Sequence, residues 1–199
     1  MNKFIQTLKN ISKIEDLRKR IMFTLGMILI YRLGSHVVLP GVDPHQLTAL
    51  KQQSSEGLLS LLDMFSGGAF SNASIFALGI MPYISASIVI QLLGMAVPYF
   101  QRLQREGESG RKKINQITRY LTVLITGAQA PAYIANLVSK MPPGSVAPFN
   151  PQGDPSSYFW ISSVIILISG TMFIMWLGER ITDKGIGNGI SLILSLIHI

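Results

Sequence analysis

Hydrophobic positions in this chain fall into long blocks separated by short polar stretches, with one periodic segment ahead of them. In that segment, residues 1–20, Phe4, Leu8, Ile11, Ile14 and Leu17 recur every three or four positions among Lys3, Lys9, Lys13, Arg18, Lys19 and Arg20. The spacing predicts an amphipathic basic helix, which suits an anionic membrane face and a neighbouring protein surface equally. The first block, Ile21 to about Val38, predicts a membrane span, because crossing the hydrocarbon core takes roughly 20 apolar residues. Arg32 and His36 lie near its far end, where a long basic side chain reaches back to the headgroups. Pro40, Gly41 and Pro44 then turn the chain into an external segment that reaches Glu56.

Between Gly57 and Leu93 the pattern breaks. Leu58, Leu59, Leu61, Leu62, Met64 and Phe65 form an apolar run too short to span, and Gly67 and Gly68 stop it. Ser71 or Asn72 offers an acceptor to the free amides of a new helix, and apolar residues continue from Ala73 to about Val97. The reading is a re-entrant half-helix over 58–70 joined to a full span over 73–97, kinked where Pro82 removes the bond to Leu78. Such a broken element persists at membrane depth only where protein or a water-filled cavity covers its backbone. Further spans are predicted over 120–138 and 158–177, the latter opened by Tyr158, Phe159 and Trp160 at headgroup level. A fifth apolar run, 188–199, is incomplete, and the chain reads as cut off there. The fold class is an all-α polytopic membrane protein.

Composition agrees with that class. The 199 residues are 48% hydrophobic and 14% charged, with a mean hydropathy of +0.39. Soluble domains carry about 25% charged residues. A net charge of +7 raises the question of nucleic acid. The basic residues instead sort by membrane side. Six precede the first span, six lie between Arg102 and Arg119, and Arg180 and Lys184 follow the fourth span, against only Lys51 and Lys140 opposite. Excess lysine and arginine mark the cytoplasmic side, so the N-terminus and the EGESG loop are expected inside. The first apolar run ends in LPG with no small-x-small cleavage site, so it reads as a retained helix rather than a signal peptide.

Candidate chemistry is sparse. The absence of cysteine excludes disulfides, thiolate metal sites and cysteine nucleophiles, and His36, His45 and His198 have no metal-ligand spacing. Gly185, Gly187 and Gly189 lack the third fingerprint glycine, with Ile190 in its place, and Gly107, Gly110 and the basic run after them lack the spacing of a phosphate loop. No enzyme, cofactor or metal is indicated. Ile80, Ile84 and Ile88 share one helical face, with Ser87 and Gln91 beside it. Most such stripes face lipid or another helix; beside a cavity, branched apolar side chains also close it by dewetting. Gly79, Ser85, Ala86 and Ser87 permit close helix contact, and the amides of Gln91 and Gln129 need partners at membrane depth. On the residues alone, a secondary transporter with its substrate site at the broken helix also stands, although no charge occurs from Ser71 to Leu93.

Three stretches carry a family resemblance: MFSGGAFSNASIFALGIMPYISASIVIQLL (64–93), EGESGRKKINQITRY (106–120) and GTMFIMWLGERITDKGIGNGISLI (170–193). In order and separation they resemble bacterial SecY, the channel-forming subunit of the general protein translocase. The resemblance implies a SecY-type channel fold of ten spans in two pseudo-symmetric halves, of which this chain holds the first, in the bacterial cytoplasmic (inner) membrane. It implies that unfolded preproteins pass outward through a pore or leave sideways into lipid. By the same resemblance the half-helix is a plug that includes Leu58, Leu61, Leu62, Met64, Phe65, Ser66, Gly67 and Gly68. Ile80 and Ile84 match the second span's share of an apolar pore ring, and Ile190 and Leu194 the fifth span's, with Leu194 where isoleucine is usual in some members. Ser85, Ile88 and Gln91, with Gln129 on the third span, belong to one side of a lateral gate. Arg102, Arg105, Arg111, Lys112 and Lys113 resemble part of the surface that meets the SecA motor or the ribosome. SecE and SecG are implied as companion subunits, and signal-bearing preproteins and membrane lipids as further partners. The ending LSLIHI departs from the family, whose fifth span stays apolar.

Overall fold

The computed structural model describes residues 14–46, 66, 68–141 and 156–195. The basic segment before Ile14 and most of the expected plug, Leu58 to Phe65 and Gly67, lie outside the described residues. The helices are α1 (Glu15–Gly34), α2 (Met81–Ala96), α3 (Pro98–Arg105), α4 (Glu108–Lys140), α5 (Ser157–Lys184) and α6 (Gly189–Ser195), with a 3-10 turn at Pro44–Gln46. No strand forms among the described residues, which include an isolated antiparallel bridge between Val38 and Ser74.

α1 is continuous across the expected boundary at residue 20. Glu15 and Asp16 suit the positive end of the helix dipole, and they pair four residues on with Lys19 at 2.8 Å and Arg20 at 3.1 Å. The helix stops at Gly34, short of the expected Val38, because His36–Val38 leave it to reach the 68–80 segment: Ile75 N–H donates to the Val37 carbonyl and Leu39 N–H to that of Ala73. Arg32 is exposed in the last turn.

The expected span over 73–97 is corrected to a helix that begins only at Met81. Residues 68–80 run through successive turns, with Ala73 and Gly79 at φ of +46° and +55°. Their backbone groups are satisfied elsewhere: Ser74 N–H donates to Ala69, and the Ser74 hydroxyl accepts from Phe76 N–H at 3.1 Å. Pro82 therefore sits in the first turn of α2, where its missing N–H costs nothing, and it does not kink a longer helix.

The polar stretch 102–119, expected as a loop, is a helical hairpin. α3 leaves α2 at 99° and Gly107, at φ +68°, turns the chain into α4. A side chain on Gly110 would meet the Leu103 carbonyl, so glycine is what lets α3 fold back on α4. At 33 residues α4 is about 50 Å long, well beyond the roughly 30 Å hydrocarbon core. Among the described residues α4 and α5 are each long and apolar enough to cross a membrane, and α2 with α3 reaches that length only if the two helices, bent by 99°, are taken as one span. α5 runs past the expected 177 to Lys184, begun by Ser156, whose hydroxyl accepts from Phe159 N–H.

Two buried clusters hold the elements together. One gathers Leu39, Phe70, Ala73 and Ala77 against Tyr133, Ile134 and Leu137 of α4 and Phe159 and Leu167 of α5. The other lies nearer the opposite end of α5, around Ile174, Leu177 and Ile181.

Candidate functional site

The second cluster brings distant parts of the sequence together. Ile80 is buried in it beside Ile174, Leu177, Ile181 and Ile193, while Ile84, Ile190 and Leu194 pack against it partly exposed. The four residues matched to a pore ring thus share one apolar cluster, although Ile80 ends the 68–80 turns, Ile84 stands on α2, and Ile190 and Leu194 stand on α6. α6 is held in place by its neighbours. Asn188 Oδ1 accepts from the N–H groups of Ile190 and Ser191, the Thr182 hydroxyl accepts from Gly189 N–H at 2.9 Å, and the Thr24 hydroxyl accepts from Ile186 N–H. A side chain on Gly189 would meet the Gly178 carbonyl, so α6 begins in direct backbone contact with α5.

Segment 68–80 is wedged between α1 and α5. Gly34 lies against the Phe76 ring and Gly170 against the Ile75 carbonyl, with no room for a Cβ at either position. Phe76 stacks on Tyr31 at 6.1 Å and on Phe173 at 5.9 Å, Phe173 stacks on Trp176 at 5.8 Å, and the Arg180 guanidinium lies 5.5 Å from the Trp176 ring. Sequence reasoning missed this aromatic ladder and its two glycines. The available signal was small residues inside apolar helices, which mark close contacts. The start of the segment is tied down as well: Tyr133 Oη donates to the Phe70 carbonyl at 3.0 Å, Phe70 N–H donates to Ser66 Oγ at 2.9 Å, and Tyr31 Oη donates to the Ser66 carbonyl at 3.4 Å.

The residues assigned to a lateral gate do not form one patch. Ser85 and Gln129 line a cavity of about 340 Å³ with Ser66, Phe70, Met81 and Tyr133. Gln91 lies in a different cleft, where its amide donates to Ser87 Oγ at 3.4 Å, and Ile88 is 51% exposed. Ser85, Ile88 and Gln91 stand three apart on α2, so they spread over about 120° of its circumference.

Arg102, Arg105, Arg111, Lys112 and Lys113 are all exposed on the α3–α4 hairpin, with Lys113 3.6 Å from Glu106. Further along α4, Arg119 grips Glu179 of α5 with two nitrogens, at 3.2 and 2.6 Å, fixing the two spans at that end. Among the described residues no group of histidine, aspartate and glutamate is arranged to hold a metal.

Comparison with known proteins gives this geometry a family. A profile described as SecY matches residues 74–197. The chain is 46% identical over 179 residues to the protein translocase subunit SecY of Escherichia coli strain K12, covering 90% of this chain and 39% of that protein. It is 47% identical over 189 residues to the protein translocase subunit SecY of Streptomyces scabiei, covering 92% of this chain and 42% of that one. The chain therefore spans well under half the length of these relatives. The solved structure of a protein conducting channel superimposes with a TM-score of 0.59 at 15% identity, over 90% of this chain and 35% of that one. Sec61 in the canine ribosome-channel complex from the endoplasmic reticulum has the same TM-score, with 36% of its chain covered. At that identity the likeness is one of fold, an all-α arrangement shared with those chains. With the profile covering well over half its length, the chain belongs to the SecY family.

Proposed function

We propose that this chain is the amino-terminal part of a channel subunit that passes unfolded preproteins across the cytoplasmic membrane and releases membrane segments sideways into lipid. The observation that carries the reading is the single apolar cluster holding Ile80, Ile84, Ile190 and Leu194. Branched apolar side chains converging from two elements make a constriction that water and ions leave, and that widens when those elements separate. On this reading the work of transport comes from partners. The exposed basic hairpin, Arg102 to Lys113, offers a docking face to a cytosolic motor such as SecA or to a ribosome, with the N-terminus on the same side. SecE and SecG complete the assembly. The plug assignment draws support from the ties between Ser66, Phe70, Tyr31 and Tyr133, which anchor one end of 58–70 beside the cluster. Ser85 and Gln129, in one cavity, are the part of the gate assignment that geometry favours, and Ile88 and Gln91 join them only if α2 rotates on opening.

The test is transport by the full-length protein in vesicles with its companion subunits, the SecA motor and ATP. A signal-bearing precursor is expected to become protease-protected, and the same precursor without its signal to stay outside. Accumulation of a small solute down an ion gradient, with no precursor protected, would favour the secondary transporter instead.

A further inference from the structure

Thr24 and Tyr31 are buried on α1, seven positions apart and therefore on one face, about 10 Å from each other along the axis. Each holds one of the two elements that feed the apolar cluster. Tyr31 stacks on Phe76 and its hydroxyl donates to the Ser66 carbonyl, at the two ends of the segment that leads to Ile80. Thr24 holds the turn between α5 and α6, which leads to Ile190 and Leu194. Its hydroxyl donates to the Arg20 carbonyl at 2.8 Å, which leaves its lone pairs free to accept, and they take the Ile186 N–H at 3.2 Å. The turn lies close against it: a Cβ on Gly185 would meet both Thr24 Oγ1 and the Ile181 carbonyl.

A threonine hydroxyl in an apolar helix ordinarily bonds back to the fourth carbonyl before it, as those of Thr118, Thr122 and Thr126 do on α4. Thr24 does this and also accepts a backbone amide 162 residues away. We infer that α1 braces the two halves of the cluster, and that Thr24 is the positioning residue that keeps α6 seated in the resting channel. Without an acceptor at position 24 the turn moves off α1 and carries Ile190 and Leu194 away from Ile80 and Ile84. Thr24 acts through α6 rather than within the ring. The inference rests on the channel reading.

The test uses the full-length protein with its companion subunits in vesicles and reads ion leak at rest, with hydrogen exchange of the amides in 185–189 as a second measurement. Thr24→Val keeps the shape of the side chain and removes the acceptor. It is expected to raise the leak about fivefold and to speed exchange at Ile186. Thr24→Ser keeps the hydroxyl and is expected to stay within about twofold of the unaltered protein in both readings. Thr24→Ala, smaller than either, is expected to follow Thr24→Val and serves if valine is not accommodated. A leak unchanged in the valine and alanine variants, even where their melting temperature falls, overturns the brace. So does a serine variant that leaks as much as they do. A signal-bearing precursor supplied to the unaltered vesicles with the motor and ATP keeps the two readings apart: if it never becomes protease-protected, the channel reading itself fails.

Discussion

Serine at both Ile80 and Ile84 is expected to make the resting full-length channel leak ions about tenfold or more, since each 1.4 kcal/mol removed from a barrier is a tenfold change in rate. Water leaves an apolar constriction because branched side chains offer it no hydrogen bonds, and a hydroxyl restores them. Ile80 is 1% exposed and Ile84 packs beside it, so both stand within the cluster rather than on a lipid face. Conductance of planar bilayers or dye release from vesicles reads the effect. Serine at Ile165, which is 58% exposed on α5, is the control and is expected to leave the leak unchanged.

Gly170→Ala and Gly26→Ala are expected to shift stability in opposite directions. In a helix interior alanine is favoured over glycine by up to about 1 kcal/mol, and nothing lies within 4 Å of a Cβ on Gly26. The same methyl on Gly170 would collide with the backbone carbonyl of Ile75, which no side-chain rotation relieves. Overpacking of this kind costs about 1–3 kcal/mol and here acts on the wedge that positions Ile80. Thermal unfolding of the purified complex in detergent is expected to show Gly170→Ala melting lower and Gly26→Ala unchanged or higher. Equal melting temperatures would mean that the 68–80 segment is not clamped between α1 and α5.

The apolar blocks made the cores of α4 and α5 legible, since residues 120–138 and 158–177 fall inside them. Hydropathy saw nothing of their extensions, because the first turns of α4 and the last of α5 are polar helix surface held by the Arg119–Glu179 pair. The 68–80 turns were illegible for a different reason. Ala73 to Gly79 reads as an apolar helix, and only contacts with Val37, Gly34 and Gly170, remote in sequence, override that preference. The clue was misread: Pro82, taken as a kink, marks a helix start. Among the candidate site residues, the four-residue spacing found the Ile80–Ile84 stripe, but nothing local connects it to Ile190 and Leu194, which the family resemblance supplied.

Position along the transport path is the most direct test of the account. This segment has no cysteine of its own, so with any thiol elsewhere in the full-length protein removed, a single one placed at Ile84, Ile190 or Ile165 reports from that site alone. A precursor bearing one cysteine and a folded domain that stalls it in transit supplies the partner thiol. The account predicts a disulfide to the stalled chain from positions 84 and 190 and none from 165. A protease-protected stalled chain that bonds equally at all three positions, or only at 165, would contradict it.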